Sequence, residues 1–270
     1  MPELPEVETT VRGIAPFLEG KVLRNMVVRE SRLRWPIVTE LASLVDGLSV
    51  TRLERRGKYI LIHLDHGGLI IHLGMSGSMR VLLKSETPQK HDHFDLVNGD
   101  GQIIRYRDPR RFGSLLYSQG DPREHPRLAG LGVEPLTDAF DGAFLYNASK
   151  KKNICVKTFL MDGRVVVGVG NIYASESLHL SGINPLRKCS RISLDRYNRL
   201  AETVKCVLEL AIERGGTTLQ DFVGVDGSPG YFEQELLVYG RAGDTCGGCG
   251  ERIRKVVISQ RATYYCDCQT

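Results

Sequence analysis

The end of the chain carries four cysteines in two close pairs, and this feature constrains its folding more than any other. Cys246 and Cys249 are separated by two glycines, and Cys266 and Cys268 are separated by Asp267. The surrounding segment is rich in Gly, Cys and Arg and has few apolar residues from which to build a core. Such a segment needs a metal to fold, and four thiolates at two nearby turns are the ligand set of a structural zinc.

The two pairs differ in spacing. Two intervening residues let the backbone curl so that both sulfurs point at one metal, but Cys266 and Cys268 have one residue between them. The spacing therefore suits Cys268 as a zinc ligand less well than it suits the other three cysteines. The alternative is four reduced surface cysteines, which leaves the segment without another means of holding its shape. The N-terminus has no apolar export signal, so we expect a cytosolic protein, where clustered cysteines bind metal more often than they form disulfides.

The first half of the chain predicts one helix and then many short strands. The helix has apolar residues three or four positions apart, at Val7, Val11, Ile14 and Leu18. From about residue 21 to 117, β-rich runs alternate with Gly-rich turns, and residues 59–64 and 69–73 form the clearest hairpin. Hydrophobic residues make up 41% of the chain and charged residues 25%, which excludes a disordered chain. We expect a β-sandwich or barrel-like first domain.

The second half predicts helices. Ser193 is suited to cap a long helix that ends before Gly215 and Gly216. The apolar face of this helix consists of Leu194, Tyr197, Leu200, Ala201, Val204, Leu208, Ala211 and Ile212. A shorter helix is expected at residues 171–180, and residues 131–147 are the expected link between domains.

Pro2 offers an unusual reactive group. Removal of Met1 exposes a prolyl secondary amine, and an α-amino group titrates near pH 8, against about 10.4 for lysine. More of this amine is neutral at physiological pH, so it can attack an aldehyde-like carbon and form an iminium. Glu3 lies next to it and can transfer protons. Taken alone, however, a proline at position 2 is common and more often has only a structural role.

Two basic runs indicate contact with a polyanion. Residues 105–112 contain four arginines and one aspartate, a local charge of +3, and residues 150–152 are three lysines. Arginine pairs with phosphate or with a base edge, and Phe112 can insert between stacked bases. Each run alone is more often simply a solvated surface. The net charge of +4 permits a polyanionic partner without requiring one.

In combination, the motifs of this chain resemble those of the formamidopyrimidine-DNA glycosylase family, bacterial repair enzymes that excise oxidised purines. The resemblance extends from residue 2 to the last cysteines. Its motifs are residues 2–8, 57–59, 72–77, 90–93, 108–113, 167–176, 230–232, 238–241 and 260–263.

The resemblance implies an α+β protein in three parts. Residues 1–132 form a catalytic β-sandwich with the terminal helix, residues 133–236 a linker and a helix-two-turn-helix DNA-binding domain, and residues 237–270 a β-hairpin zinc finger. It further implies one structural zinc ion per chain. The implied partner is double-stranded DNA that contains an oxidised purine and lies in the cleft between the domains. The chain is expected to act as a monomer, without a membrane.

The resemblance also implies base removal followed by strand cleavage. Pro2 attacks the sugar C1′ and displaces the base, leaving a Schiff base, while Glu3 supplies and accepts protons. Lys58 contacts the phosphate or sugar beside the lesion and assists β-elimination. Arg261, at the tip of the zinc hairpin, binds a phosphate and assists δ-elimination. The task of the zinc is to hold Arg261 in place.

Six further residues are implied to contact DNA: Met75, Arg110, Phe112, His91, Lys152 and Asn171. The first three fill the hole left by the flipped base, and the guanidinium satisfies the orphaned cytosine. The last three contact the DNA backbone, with Lys151 an alternative to Lys152. The loop Gly224–Gly230 corresponds to the segment that closes over the flipped base.

Three other functions fit part of the sequence. A sister enzyme of the endonuclease VIII type has the same fold and removes oxidised pyrimidines, but Leu4 and the three hole-filling residues argue against it. A zinc-dependent DNA-binding protein without catalysis needs neither Pro2 nor Glu3. A tautomerase with an N-terminal proline leaves the four cysteines unexplained.

Overall fold

The computed structural model describes residues 2–84, 86–217 and 236–270. The helices are α1 Leu4–Leu18, α2 Leu41–Val45, α3 Gly142–Ser149, α4 Val156–Leu160, α5 Asn171–Leu180 and α6 Leu194–Glu213. The strands are β1 Val27–Val28, β2 Val50–Arg56, β3 Tyr59–Leu64, β4 Gly68–His72, β5 Ser78–Leu82, β6 Asp92–Val97, β7 Ile103–Arg107, β8 Ser114–Ser118, β9 Arg254–Ile258 and β10 Arg261–Tyr265. None of these helices is both long and apolar enough to cross a membrane.

The chain divides into two compact units. The first comprises Met1–Gly130 with Arg214–Glu233, and the second comprises Leu131–Glu213 with Gln234–Thr270. The first unit therefore contains α1, α2 and β1–β8. The second contains α3–α6 and the hairpin β9–β10.

Two antiparallel four-stranded sheets form the first unit, in the orders β1-β6-β7-β5 and β2-β3-β4-β8. The predicted hairpin is confirmed, with Tyr59 opposite His72 and His63 opposite Gly68. One hydrophobic cluster takes buried residues from α1 and from both sheets, among them Val7, Ile62 and Phe94. The prediction of an N-terminal β-sandwich that carries the terminal helix is confirmed.

Helix α1 has Glu3 as its N-cap and Pro5 in its first turn. Its buried face includes the four predicted residues, Val7, Val11, Ile14 and Leu18. Burial of each such side chain contributes about 1.5–3 kcal/mol before entropy is counted. The chain leaves the helix through Gly20, whose φ of +73° favours glycine.

Helix α6 is the long helix predicted for the second unit. The Ser193 hydroxyl accepts the backbone N–H of Arg196 at 3.4 Å, as an N-cap does. Its buried residues include Tyr197, Leu200, Ala201, Val204, Leu208, Ala211 and Ile212. Leu194, predicted for the same face, is instead exposed at the first position of the helix. Both α3 and α5 pack against α6.

The C-terminal hairpin turns at Ser259 and Gln260, which have φ angles of +48° and +64°. These two left-handed residues form a two-residue turn between Ile258 and Arg261, which pair across the hairpin. Its segment has a very small core of four buried residues: Val238, Cys246, Ile253 and Cys266. The prediction of a C-terminal hairpin with little apolar core is confirmed.

Candidate functional site

The N-terminus of α1 is held by a buried carboxylate. Pro2 and Glu3 are both buried, and Oε2 of Glu6 accepts the backbone N–H of Glu3 at 2.8 Å. Its other oxygen accepts the N–H and the hydroxyl of Thr217, at 2.9 and 3.0 Å. A buried carboxylate with three donors is fixed in place, so Glu6 positions the backbone beside Pro2. We did not predict Glu6, although its place three residues after the N-cap is a capping-box signal.

Lys58 lies in the two-residue turn between β2 and β3. The guanidinium of Arg55 donates to Oε2 of Glu8 at 2.8 Å and to the carbonyl of Gly57 at 3.2 Å. Because Glu8 belongs to α1, Arg55 ties that helix to the turn that carries Lys58. Pro2, Glu3 and Lys58 are thus carried by connected elements of one unit.

His72, at the end of β4, is a neutral structural residue at neutral pH. Burial lowers its pKa to about 4, and the positive charges of Lys58 and Arg34 act in the same direction. Its Nδ1 accepts the backbone N–H of Gly74 at 2.9 Å. The ring also packs edge-on against Tyr59. His72 therefore supports the loop that leads to Met75.

The turn that carries Arg110 and Phe112 is built around the fully buried Asp108. One carboxylate oxygen of Asp108 accepts the Ser76 hydroxyl at 2.6 Å and the N–H of Arg110 at 3.2 Å, and the other accepts the N–H of Gly113 at 2.8 Å. The Arg110 guanidinium lies 4.8 Å from the centre of the Phe112 ring. Both side chains are exposed, so they can reach a ligand.

The loop that contains Met75 approaches the same turn closely. Gly74 has a φ of +73°, and a Cβ there would lie 2.4 Å from the backbone nitrogen of Gly113. Only glycine permits this approach, which places the Met75 loop against the residues that follow Phe112. The first unit therefore brings together the loops of all three predicted hole-filling residues.

His91 lies beside the same turn. Its carbonyl accepts the backbone N–H of Asp108 at 3.0 Å. Its ring is partly exposed, and its backbone adopts a φ of +76°. His91, which is predicted to contact the DNA backbone, therefore lies in the same surface region as Arg110.

In the second unit, a buried lysine joins α4, α5 and β10. Lys157 Nζ donates to Oδ1 of Asn171 at 2.6 Å, to Oγ1 of Thr263 at 2.7 Å and to the carbonyl of Ala262 at 3.2 Å. Nδ2 of Asn171 donates to the same carbonyl at 2.9 Å. These bonds fix the residue that follows Arg261. The role of Lys157 was not predicted, because nothing local distinguishes it from nearby lysines.

A second buried charge holds the start of the hairpin segment. The carboxylate of Glu176 accepts the backbone N–H groups of Leu237, Val238 and Tyr239 at 2.8, 3.0 and 2.8 Å. Three bonds to one anion replace the water that it loses on burial. We did not assign this role to Glu176, although it ends the motif at residues 167–176.

Arg261 is exposed directly after the hairpin turn. It lines a surface pocket of about 440 Å³, together with Lys157, Arg164 and Ser259. Asp162 also lines this pocket and pairs with Arg164, and Lys157 Nζ is engaged with Asn171 and Thr263, so Arg261 is the positive group of the lining that no pair among the described residues neutralises. Because Arg261 is exposed, it can contact a ligand.

The lysine run at residues 150–152 borders this region. Lys152 Nζ lies 3.5 Å from Oδ2 of Asp162, which also pairs with Arg164. Lys151 is exposed. Of the two alternatives, Lys152 is therefore the one held by an ion pair, and a phosphate there would compete with Asp162.

The four C-terminal cysteines cluster with a histidine. A ring nitrogen of His179 and the sulfurs of Cys246, Cys266 and Cys268 all lie within 4.8 Å of one another. The sulfur of Cys249 lies 3.9 Å from that of Cys266. Thiolates and imidazole are the donors that zinc prefers, so these residues fit a zinc ion. His179 was not predicted, because no spacing relates it to the cysteines.

Cys246 is prepared to act as a thiolate. Burial raises its pKa, but hydrogen bonds from the backbone N–H of Gly248 and from neighbouring thiols outweigh this effect and lower the pKa to about 7. The N–H of Gly248 lies 3.4 Å from its sulfur.

The remaining predicted feature, the loop Gly224–Gly230, lies outside the described residues.

Known family profiles match most of the chain. Residues 1–115 match the formamidopyrimidine-DNA glycosylase N-terminal domain, and residues 131–223 match the formamidopyrimidine-DNA glycosylase H2TH domain. The chain is also 53% identical to the formamidopyrimidine-DNA glycosylase of Xanthomonas axonopodis pv. citri, with 100% of both chains covered. The enzyme of Xanthomonas oryzae pv. oryzae is 54% identical over the same coverage.

Solved structures show the same fold. The MutM (Fpg) protein from Thermus thermophilus superposes with a TM-score of 0.88 at 36% identity, covering 99% of this chain and 98% of that one. A Lactococcus lactis Fpg mutant bound to a Fapy-dG-containing DNA superposes with a TM-score of 0.91 at 31% identity, covering 100% of both chains. With its motifs, its profiles and its full-length relatives in agreement, this chain belongs to the formamidopyrimidine-DNA glycosylase family.

Proposed function

We propose that this chain excises oxidised purines, such as 8-oxoguanine and formamidopyrimidines, from double-stranded DNA and then cleaves the abasic strand. The observation that carries the proposal is the buried, hydrogen-bonded Pro2–Glu3 terminus in a chain of this family. Three solved structures of relatives support the substrate class. They are bound to DNA that contains Fapy-dG, carbocyclic 8-oxo-G and an abasic site. Because its substrate is DNA, the protein acts in the cytoplasm, where it associates with the nucleoid. It acts as a monomer.

Base removal requires that the damaged nucleotide leave the stack. Phe112 and Met75 supply apolar surface to occupy the gap, and Arg110 supplies donors for the unpaired cytosine. His91, Lys152 and Asn171 bind the DNA backbone on either side of the flipped nucleotide. Because the contacts of Met75, Arg110 and Phe112 form only when the base is out, they stabilise the flipped state.

The chemistry begins at the Pro2 amine. The neutral nitrogen attacks C1′, the bond between C1′ and the base breaks, and the base leaves with a proton. Glu3 protonates the ring oxygen, so the sugar opens and an iminium joins Pro2 to C1′. Glu6 contributes by holding the backbone of Glu3 in one position.

Strand cleavage follows from the iminium. Loss of the C2′ proton breaks the C3′–O bond in β-elimination, with Lys58 at the neighbouring phosphate or sugar. Loss of the C4′ proton then breaks the C5′–O bond in δ-elimination, with Arg261 on the leaving phosphate. The product is a one-nucleotide gap that is flanked by phosphates.

The C-terminal cluster binds one structural zinc ion, and its ligands come from His179 and the four cysteines. The thiolates bind the ion, and His179 adds an imidazole donor close to them. When bound, zinc supplies a cross-link for a segment whose buried core has four residues. The cross-link holds the hairpin on which Arg261 lies.

Borohydride trapping tests the proposal directly. The protein is incubated with a duplex that contains 8-oxoguanine opposite cytosine, with an oxidised thymine duplex as the comparison, and the cross-linked peptide is mapped by mass. We expect a cross-link at Pro2 that forms faster on the purine lesion. A cross-link at a lysine would exclude Pro2 as the nucleophile. Tight binding without any cross-link would favour a DNA-binding protein without catalysis.

The variant Pro2→Gly separates binding from chemistry. It keeps an N-terminal amine but loses the secondary amine, so base release should slow by about 100-fold or more while lesion binding stays within a few-fold. Single-turnover kinetics and a gel-shift titration measure the two effects. An unchanged rate of base release would remove Pro2 from the mechanism.

A further inference from the structure

The turn that carries Arg110 contains a strained residue. Arg111 has a φ of +56°, in the left-handed region that arginine rarely adopts. It lies between Arg110 and Phe112, whose guanidinium and ring stack at 4.8 Å. An unfavourable backbone conformation persists only where the surrounding structure holds it. The groups that hold this turn therefore set the direction of the Arg110 side chain.

Asp108 holds the turn on both sides of the strained residue. Its buried carboxylate accepts the backbone N–H of Arg110 with one oxygen and that of Gly113 with the other. Its carbonyl accepts the N–H of Arg111 at 3.2 Å. One residue thus fixes the backbone before, at and after the left-handed position. The conformation of the turn depends on where this carboxylate lies.

Tyr106, in β7, completes the set of donors around the carboxylate. Its side chain is fully buried, and its ring stacks on Phe94 with the ring centres 4.7 Å apart. Its hydroxyl donates to Oδ2 of Asp108 at 3.1 Å. Ser76 donates to Oδ1, so each oxygen accepts two hydrogen bonds. All four donors are neutral groups, and the loss of one leaves a buried negative charge with an unused acceptor.

The Tyr106 hydroxyl is reserved for Asp108. Burial and the negative charge of Asp108 raise the pKa of Tyr106 well above its usual value, so the hydroxyl keeps its proton. The carbonyl of Leu73, at 3.4 Å, is a weaker acceptor because it is farther away and uncharged. The hydroxyl also lies directly against the turn, since a Cβ on Gly113 would collide with it.

The geometry points to Tyr106 as a positioning residue that sets how strictly the protein reads the base opposite the lesion. The inference rests on the proposed function, in which Arg110 satisfies the unpaired cytosine. Cytosine presents two adjacent acceptors, N3 and O2, which match two N–H groups of a guanidinium, whereas adenine presents one acceptor beside an amino donor. A guanidinium held in one direction distinguishes these edges, and one on a loosened turn adapts to either.

Rates of base excision opposite cytosine and opposite adenine test this inference. The parent is compared with Tyr106→Phe, which removes one hydroxyl and keeps the stacked ring, on duplexes that contain 8-oxoguanine. A bidentate pair discriminates between bases by about tenfold or more, so the ratio of the two rates should fall by about threefold or more in the variant. Inactive protein cancels in this ratio, so a general loss of stability does not change it. An unchanged ratio would overturn the inference.

The variant Tyr197→Phe is the matched control. Tyr197 is also fully buried, and its hydroxyl donates to the carbonyl of Cys189 at 2.9 Å in the second unit. Its loss should leave the ratio of the two rates as it is in the parent. Equal falls in both variants would mean that the loss of any buried hydroxyl relaxes the reading, and would refute a specific role for Tyr106.

The variant Arg110→Ala shows whether Tyr106 acts through the guanidinium. In this background the preference for cytosine should already be low. Addition of Tyr106→Phe should lower it no further, because a positioning residue has no effect once the group that it positions is gone. A further fall would show that Tyr106 acts by another route and would refute the assignment.

Binding to a duplex that contains a tetrahydrofuran abasic analogue separates this inference from the proposed chemistry. The opposite base is unpaired there, and no bond is broken. We expect the parent to bind more tightly when that base is cytosine than when it is adenine, and Tyr106→Phe to reduce this preference. Such a result in a protein that excises no base would refute the chemistry and support the inference. Excision of 8-oxoguanine with a preference that Tyr106→Phe fully retains would support the chemistry and refute the inference.

Discussion

The two units hold their candidate site residues by different physical means. In the first unit, Pro2, Lys58 and Arg110 are carried by a helix and sheets around one cluster of 23 buried apolar residues among those described. The hairpin segment that carries Arg261 has four such residues, and two of them are cysteines. Burial of 23 side chains supplies tens of kcal/mol against chain entropy, whereas burial of four supplies about 6–12 kcal/mol. A segment of this size therefore needs other attachments.

Those attachments are charged and polar groups. Lys157 binds β10, Glu176 binds the N–H groups of residues 237–239, and His179 with the cysteines fits a metal. Such contacts are directional, so they specify the position of Arg261 more narrowly than apolar packing does. A buried partner that is left unpaired costs about 1–3 kcal/mol. The hairpin segment has few apolar contacts to offset such a loss.

Metal removal should separate the two regions most strongly. Zinc supplies about 10–16 kcal/mol of apparent binding energy to small zinc-dependent segments, as much as or more than the roughly 6–12 kcal/mol from four buried side chains. Chelation should therefore unfold the hairpin segment and leave the first unit folded. Thiol modification of the buried Cys246 and Cys266 reports the first effect. Fluorescence of Trp35, the only tryptophan, reports the second.

Either of two results would break this contrast. Thiols that stay protected after chelation would mean that the hairpin folds without metal. A shift in Trp35 emission would mean that the first unit depends on the metal as well. Added Zn²⁺ should restore thiol protection, which distinguishes unfolding from oxidation.

Removal of the buried charge at Lys157 should have the next largest effect. In Lys157→Met the side-chain volume is nearly kept, but Asn171 and Thr263 lose a charged donor, at a cost of about 3–4 kcal/mol. Unfolding in urea, followed by the visible bands of bound Co²⁺, measures the loss. The matched control is Ile62→Ala in the first unit, which should lower stability by about 2–5 kcal/mol when Trp35 is the probe. A Lys157→Met protein as stable as the parent would refute the anchoring role.

The sequence predicts the elements whose signal is local. The face of α1, the β3–β4 hairpin and the face of α6 all follow from residue spacing over a few turns or one hairpin. The anchors of the site carry no such signal. Glu6 and Thr217 are 211 positions apart, and Lys157 and Ala262 are 105 apart. Only the folded chain brings such partners together. His179 was not predicted for the same reason, since it is far in sequence from the cysteines beside it.

Titration of His72 should destabilise the first unit at acidic pH. Its pKa is about 4 when folded, below the ordinary 6.5 of the unfolded chain. Between these values the unfolded state binds the proton and the folded state does not, so stability falls as pH falls from 6.5 towards 4. The full effect is about 3 kcal/mol at most. Urea titrations of Trp35 fluorescence at about pH 7 and about pH 4.5 measure it.

The variant His72→Asn tests whether this one residue is responsible. Asparagine can accept the Gly74 N–H but does not titrate in this range. It should therefore remove about 2–3 kcal/mol of the pH dependence of the first unit. The cobalt bands of the hairpin segment should respond to pH equally in both proteins. If the parent and the variant lose the same stability on acidification, another group causes the acid sensitivity.

The smallest expected effect on binding concerns Arg261, the exposed residue that the attachments of the hairpin hold in place. Arg261→Ala should weaken lesion binding by about 1–2 kcal/mol and reduce the slope of log affinity against log salt by about 0.9, because one phosphate contact is lost. Lys255→Ala removes an exposed charge from the neighbouring strand and serves as the control. Equal changes in both slopes would mean that the hairpin contributes only diffuse charge. A change confined to Arg261, with unaltered cobalt bands, would show that the metal and the buried anchors serve to place one guanidinium on one phosphate, a task that the apolar core of the first unit performs for Pro2.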